Sequence, residues 1–185
     1  MKLVVGLGNP GRRYVGTRHN LGYAVLSELA RRYATGRVQE KFQGEVVEAD
    51  LEGRRALLLS PVTFMNLSGA SVLAAVDFYK LPREELLVVC DDLSLPVGRL
   101  RMRTRGSSGG QKGLEDIVRR LGTEEVPRLR IGIGSPPEGW EAANYVLGKF
   151  GKEELPQIEQ AIRDAVEAVV TWARQGIEYC MNRYN

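Results

Sequence analysis

The run Leu86-Leu87-Val88-Val89-Cys90 constrains the fold more than any other stretch of this 185-residue chain. It is apolar throughout, without alternation, and it stops abruptly at Asp91-Asp92. A strand of this kind has both faces covered and belongs at the centre of a sheet with helices on either side. Leu3-Val4-Val5 is a second short apolar run, bounded by glycine and feeding a loop that carries polar side chains. Around these two, strand-like and helix-like segments alternate. Leu21 to Ala34 has helical apolar spacing with Asn20 as its cap, and Glu45–Asp50 and Arg54–Leu59 read as a hairpin joined by Leu51-Glu52-Gly53. Asn66-Leu67-Ser68-Gly69 opens a helix running to Tyr79. Leu95 to Thr104 reads as extended, Gly113 to Leu121 as a helix with acidic start and basic end, and Leu129–Ile133 as a strand. Lys152 to Gln175 is a long amphipathic helix in which Pro156 can introduce a kink. The order predicts one domain over residues 1–185, a three-layer α/β/α domain with a mixed, largely parallel central sheet.

In such a fold, polar groups just beyond the carboxyl ends of neighbouring strands converge. Four loops carry candidates: Asn9 to His19, Thr63 to Asn66, Asp91-Asp92, and Gly106 to Lys112. His19 is the only histidine, and an unperturbed imidazole titrates near ~6.5, where general bases work at neutral pH. A carboxylate such as Asp91 that accepts from one ring nitrogen fixes the tautomer and makes the other nitrogen a better base toward water. Asn9 and Asn66 offer amides that both donate and accept, although Asn66 also suits a helix cap. One histidine and two adjacent carboxylates are too few clustered ligands for zinc, so no metal and no cofactor is expected.

Two literal motifs point elsewhere. Gly6-Leu7-Gly8-Asn9-Pro10-Gly11 satisfies G-x-G-x-x-G, but the helix that should begin inside the glycines starts about nine residues later, and no acidic residue follows at the end of a second strand. Gly106-Ser107-Ser108-Gly109-Gly110 satisfies G-x-S-x-G, which would make Ser108 a nucleophile. The segment before it alternates Arg99, Arg101, Arg103 and Arg105 with apolar residues, unlike the apolar strand such an elbow needs, and a flexible loop close to a substrate is the better reading.

The chain has 26 basic and 23 acidic residues, a net charge of only +3, yet many of its arginines fall between positions 99 and 130. In a strand, Arg99, Arg101 and Arg103 would form a row ~6–7 Å apart, close to phosphate spacing along a nucleic acid. Arg128 and Arg130 repeat the pattern, which favours a phosphate-binding surface over a merely solvated edge. Nothing approaches the ~18 apolar residues of a membrane helix. Lys2–Leu7 is broken too soon for a signal peptide, and the two cysteines read as reduced thiols, so a cytoplasmic protein is expected.

Together, V-G-L-G-N-P-G-x-x-Y-x-x-T-R-H-N (from Val5), P-x-T-F-M-N-L-S-G (from Pro61), D-D-L-x-L-P-x-G (from Asp91), the G-G-x-x-G-L-x-D-I run (from Gly109) and R-L-R-I-G-I-G (from Arg128) resemble the bacterial peptidyl-tRNA hydrolase family. The resemblance covers nearly the whole chain in order. It implies a metal-free, monomeric α/β enzyme whose partner is peptidyl-tRNA and which cleaves the ester between peptide and tRNA. It implies that His19 is the proton acceptor, that Asp91 stabilises its basic form and that Asn9 senses the blocked amino group. Tyr14, Phe64 and Asn66 would contact the tRNA end, and Arg103 and Arg130 would grip its phosphate. The chain departs from the family where Gly-Gly-His-Asn-Gly is common: it reads Gly109-Gly110-Gln111-Lys112-Gly113, so Lys112 takes the place of a substrate-contacting asparagine. Lysine donates but cannot accept, so a contact to phosphate or carbonyl oxygen survives and an acceptor role does not. A non-catalytic RNA-binding relative and a serine esterase using Ser108 are the competing readings; retention of both His19 and Asp91 counts against the former.

Overall fold

A computed structural model describes residues 1–185. Its elements are β1 (Lys2–Gly6), α1 (Leu21–Tyr33), β2 (Gln39–Lys41), β3 (Gly44–Asp50), β4 (Arg55–Pro61), α2 (Ser68–Tyr79), β5 (Leu86–Asp92), β6 (Leu100–Arg103), α3 (Lys112–Leu121), β7 (Arg128–Gly132), α4 (Ala142–Val146), α5 (Leu155–Gln175) and α6 (Ile177–Tyr184). The strands form one seven-stranded sheet in the order β2-β3-β4-β1-β5-β7-β6. The central β4, β1, β5 and β7 run parallel, whereas β2, β3 and β6 are antiparallel to their neighbours. Every residue of β5 is buried. Successive residues alternate between two cores: Val4, Leu58, Leu87 and Val89 face α1 and α5, while Leu3, Val5, Leu57, Val88 and Cys90 face α2 and α3. That two-residue period, buried on both sides, is why the central runs show no alternation in the sequence. No helix is long and apolar enough to cross a membrane.

Glycines at the end of β1 and the start of α1 serve packing. A Cβ on Gly6 would lie 2.4 Å from the Gly22 carbonyl oxygen, and one on Gly22 would lie 2.4 Å from the Leu7 nitrogen, so α1 crosses β1 at backbone contact. A 3-10 turn, Arg12–Tyr14, follows the glycines where a dinucleotide fold would start its helix. Tyr23, on α1, lies over Gly8 and donates its hydroxyl to the Pro61 carbonyl, tying α1 to the end of β4; burial raises its phenol above the ordinary range.

Three expectations need correction. The segment Leu95–Thr104 is strand only over Leu100–Arg103, because Pro96 and Gly98, at φ 84°, turn the chain before it pairs. Pro156 lies in the first turn of α5, where its missing N–H is not needed, so it starts the helix and does not kink it. The loop Gly106–Lys112 leaves β6, which runs opposite to β7, and so must double back to reach the carboxyl edge.

Candidate active site

At the carboxyl edge, β1 and β5 are adjacent and parallel, so the loop after Gly6 and the end of β5 lie side by side. His19 sits in a 3-10 turn, Arg18–Asn20, immediately before α1. Its Nδ1 is 2.9 Å from Asp91 Oδ2, and both side chains are buried, at 10 % and 3 % exposure. With the carboxylate ionised, Nδ1 carries the hydrogen and donates it, which leaves the Nε2 lone pair as the free acceptor. Asp91 Oδ1 accepts from Gln111 Nε2 at 3.1 Å. The turn bearing His19 is clamped by Arg18, which donates to the Tyr145 carbonyl at 3.2 Å and to Glu154 at 3.1 Å.

Asn9 is fixed by an exchange that the sequence does not show. Its N–H donates to Asn20 Oδ1 at 2.8 Å, and Asn20 Nδ2 donates back to its carbonyl at 2.9 Å. Asn20 therefore braces Asn9, and it makes no side-chain cap on α1. The Asn9 Oδ1 accepts the Met65 N–H at 2.8 Å, a donor that sets the amide's orientation. With Oδ1 turned to Met65, the amide's N–H2 group is left to donate to a ligand.

Asn9, His19, Phe64, Asn66, Asp91 and Lys112 all line one cleft of about 300 Å³. Phe64 is 62 % exposed on its rim, a large apolar surface left for a ligand. Asn66 lies in the 3-10 turn Met65–Leu67 and makes no cap on α2. Lys112 begins α3, largely exposed, with its ammonium 3.6 Å from Glu115. The far wall comes from α4, through Ala142, Ala143 and Val146.

Tyr14, Arg103 and Arg130 lie outside the cleft lining. Tyr14 is half-buried beneath Arg13, whose guanidinium is 4.9 Å from its ring centre. Arg103 is exposed on edge strand β6. Register places Arg101 opposite Arg130 and Arg103 opposite Arg128 on one face, with Arg99 outside the strand. Arg128 does not join a phosphate surface as the alternation suggests: it is fully buried and donates to the carbonyls of Gly106, Ser107, Glu124 and Val126. Burial, with Arg130 nearby, pulls its guanidinium down to about 10, still charged at neutral pH. Arg130 donates to the Ser107 carbonyl at 2.7 Å and lies 3.6 Å from Asp92. These two arginines carry the glycine-rich loop back up the face of β7 to the cleft. Ser108 is not among the lining residues, and its Oγ accepts the Gly110 N–H at 3.3 Å. No three His, Cys, Asp or Glu side chains cluster as metal ligands would. Gln111 and Asn20 are the site residues that sequence reasoning missed; the one available signal was Gln111's place directly before a helix.

The profile of the family described as peptidyl-tRNA hydrolase matches residues 3–185. The chain belongs to the peptidyl-tRNA hydrolase family. A peptidyl-tRNA hydrolase from Rhodopirellula baltica is 54 % identical over 185 residues, covering 100 % of this chain and 97 % of that protein. One from Desulfitobacterium hafniense is 47 % identical, with 100 % of both chains covered. The crystal structure of the peptidyl-tRNA hydrolase from Acinetobacter baumannii superposes with a TM-score of 0.93 at 38 % identity, over 100 % of this chain and 94 % of that one. The mixed sheet and its flanking helices are thus those of peptidyl-tRNA hydrolase structures.

Proposed function

We propose that this peptidyl-tRNA hydrolase family member cleaves the ester between the C-terminus of a peptide and the 3′-terminal ribose of tRNA, with His19 as general base. The 2.9 Å contact between His19 Nδ1 and Asp91, buried at the base of an amide-lined cleft, carries the reading. Nε2 takes a proton from water as its oxygen adds to the ester carbonyl carbon. The tetrahedral intermediate collapses by breaking the bond to the ribose oxygen, which receives the proton back from Nε2. The products are a free peptide carboxylic acid and a tRNA with its 3′-hydroxyl restored. Phe64, Asn66, Lys112 and Tyr14 bind the tRNA end and the reacting group.

Asn9 supplies the selectivity. With its Oδ1 turned to Met65, its N–H2 group is the part that meets the substrate. A peptide carbonyl accepts from it, whereas the free α-ammonium of an aminoacyl-tRNA has nothing to accept with. Asn9→Asp keeps the bond to Met65 but turns an acceptor toward the cleft. It lowers kcat/KM on an N-blocked aminoacyl-tRNA by about 10- to 100-fold and narrows the preference over the unblocked ester. Parallel assays of the two esters test this; an unchanged ratio would remove Asn9 from substrate selection.

Arg103 holds tRNA phosphate from the exposed edge of the sheet, while Arg130, engaged with Asp92 and Ser107, adds positive field behind it. Arg103→Ala weakens tRNA binding and lowers the slope of log affinity against log salt by about 0.7–0.9, with a short 3′-end fragment unaffected. Equal losses on tRNA and fragment would refute the phosphate role.

A further inference from the structure

Pairing with His19 uses one oxygen of Asp91, and nothing intrinsic fixes the other, since an aspartate's terminal torsion is broad. Gln111 fixes it. This side chain is 9 % exposed, and its orientation is imposed by the Leu114 N–H, which donates to Oε1 at 2.7 Å. The N–H2 group is thereby directed at Asp91 Oδ1, 3.1 Å away, with Met65 Sδ at 3.4 Å from the same nitrogen. One amide closes the first turn of α3 and holds the carboxylate behind the histidine.

We infer that Gln111 is a positioning residue for hydrolysis, locking the plane of Asp91 against His19 and doing so without adding an ionisation of its own. The inference rests on His19 as the base. The amide of Gln111 carries no titratable proton, so it holds the carboxylate without a charge of its own. The other ionisable groups around the pair are each accounted for. Asp92 faces Arg130 at 3.6 Å, Lys112 faces Glu115 at 3.6 Å, and burial pushes the Cys90 thiol up to about 12.

Two substitutions separate this role from capping. Gln111→Asn keeps a strong N-cap residue but is one methylene too short to reach Asp91 as well. Gln111→Glu keeps an acceptor for Leu114, favoured at a helix N-terminus, and replaces the donor with a negative charge. Both variants fold, with Tm lowered by about 3–10 °C, and activity is measured well below the transition. On an N-blocked aminoacyl-tRNA, Gln111→Asn lowers kcat about tenfold at unchanged KM. Gln111→Glu lowers kcat and moves the acid limb of the rate profile up by about one pH unit, because a second carboxylate favours the imidazolium. Wild-type kcat and an unmoved acid limb in both folded variants would reduce Gln111 to a helix cap and overturn the inference, as would a loss confined to KM. His19→Ala, run alongside, distinguishes the failures. If it hydrolyses normally, the base reading fails and this inference with it. If it is dead while the Gln111 variants are silent, only this inference falls.

Discussion

His19→Ala lowers hydrolysis of an N-blocked aminoacyl-tRNA by about 10²- to 10⁴-fold, the range of a positioned general base, and leaves tRNA affinity within about twofold. The effect falls on the chemical step because, in the proposed mechanism, Nε2 receives the water's proton, and the cleft holds no second imidazole to replace it. Alanine also strands Asp91, a carboxylate only 3 % exposed, and so adds local disorder to the loss of the imidazole. His19→Gln removes that ambiguity: its amide donates to Asp91, yet has no basic nitrogen. Activity lost in both variants with affinity retained assigns the defect to the base. Affinity lost in step with activity would instead make His19 a binding residue.

Arg128→Met destabilises the fold by about 2–4 kcal/mol, which for a chain of this length lowers Tm by about 5–15 °C. Two effects compete. Methionine relieves the cost of burying a charge, a cost visible in the lowered guanidinium. Against this, it removes the donor that holds the carbonyls of Gly106 and Val126, at about 1–3 kcal/mol for each one that water cannot reach, while Ser107 keeps Arg130 and Glu124 keeps the N–H groups of Gly106 and Val126. The second effect wins because two carbonyls lose their donor at once and the loop loses the guanidinium that ties it to β7. Arg128→Lys recovers little, since one ammonium cannot reproduce a planar fork that spans carbonyls on two segments. Thermal melts decide it: a Tm equal to wild type would mean that the loop is held by something other than Arg128. Activity falls as well, because that loop delivers Gln111 to Asp91.

How much of this was legible in the sequence follows from the range of the interactions involved. The apolar runs at Leu3–Val5 and Leu86–Cys90 announced doubly covered strands because burial on both faces is written in consecutive residues. Strand ends at Asp91 and in the loop after Gly6 then placed His19 and Asp91 in one region, and the structure joins them. The short elements were lost: α4 has five residues, β2 has three, and α6 is separated from α5 only by Gly176 at φ 86°. The alternating arginines misled for a different reason. Period-two spacing gives a shared face, but whether that face is wet depends on what crosses it, and the glycine-rich loop crosses Arg128 and covers it. Asn9 is held by Asn20 and Met65, 11 and 56 residues away, and Gln111, though turned by Leu114 three residues on, acts on Asp91, 20 residues away, contacts that leave no local pattern. Polar residues read locally as caps, as Asn20 and Asn66 were, are the ones a tertiary site can recruit.

The most direct test of the account is the single-turnover rate of ester release from an N-blocked aminoacyl-tRNA, followed from neutral to acid pH in wild type and His19→Gln. A neutral imidazole acting as base gives a wild-type rate that falls tenfold per pH unit on the acid side, with a slope of one proton, and a His19→Gln residual rate without that limb. A wild-type rate that stays flat down to about pH 5 would contradict general-base catalysis by His19.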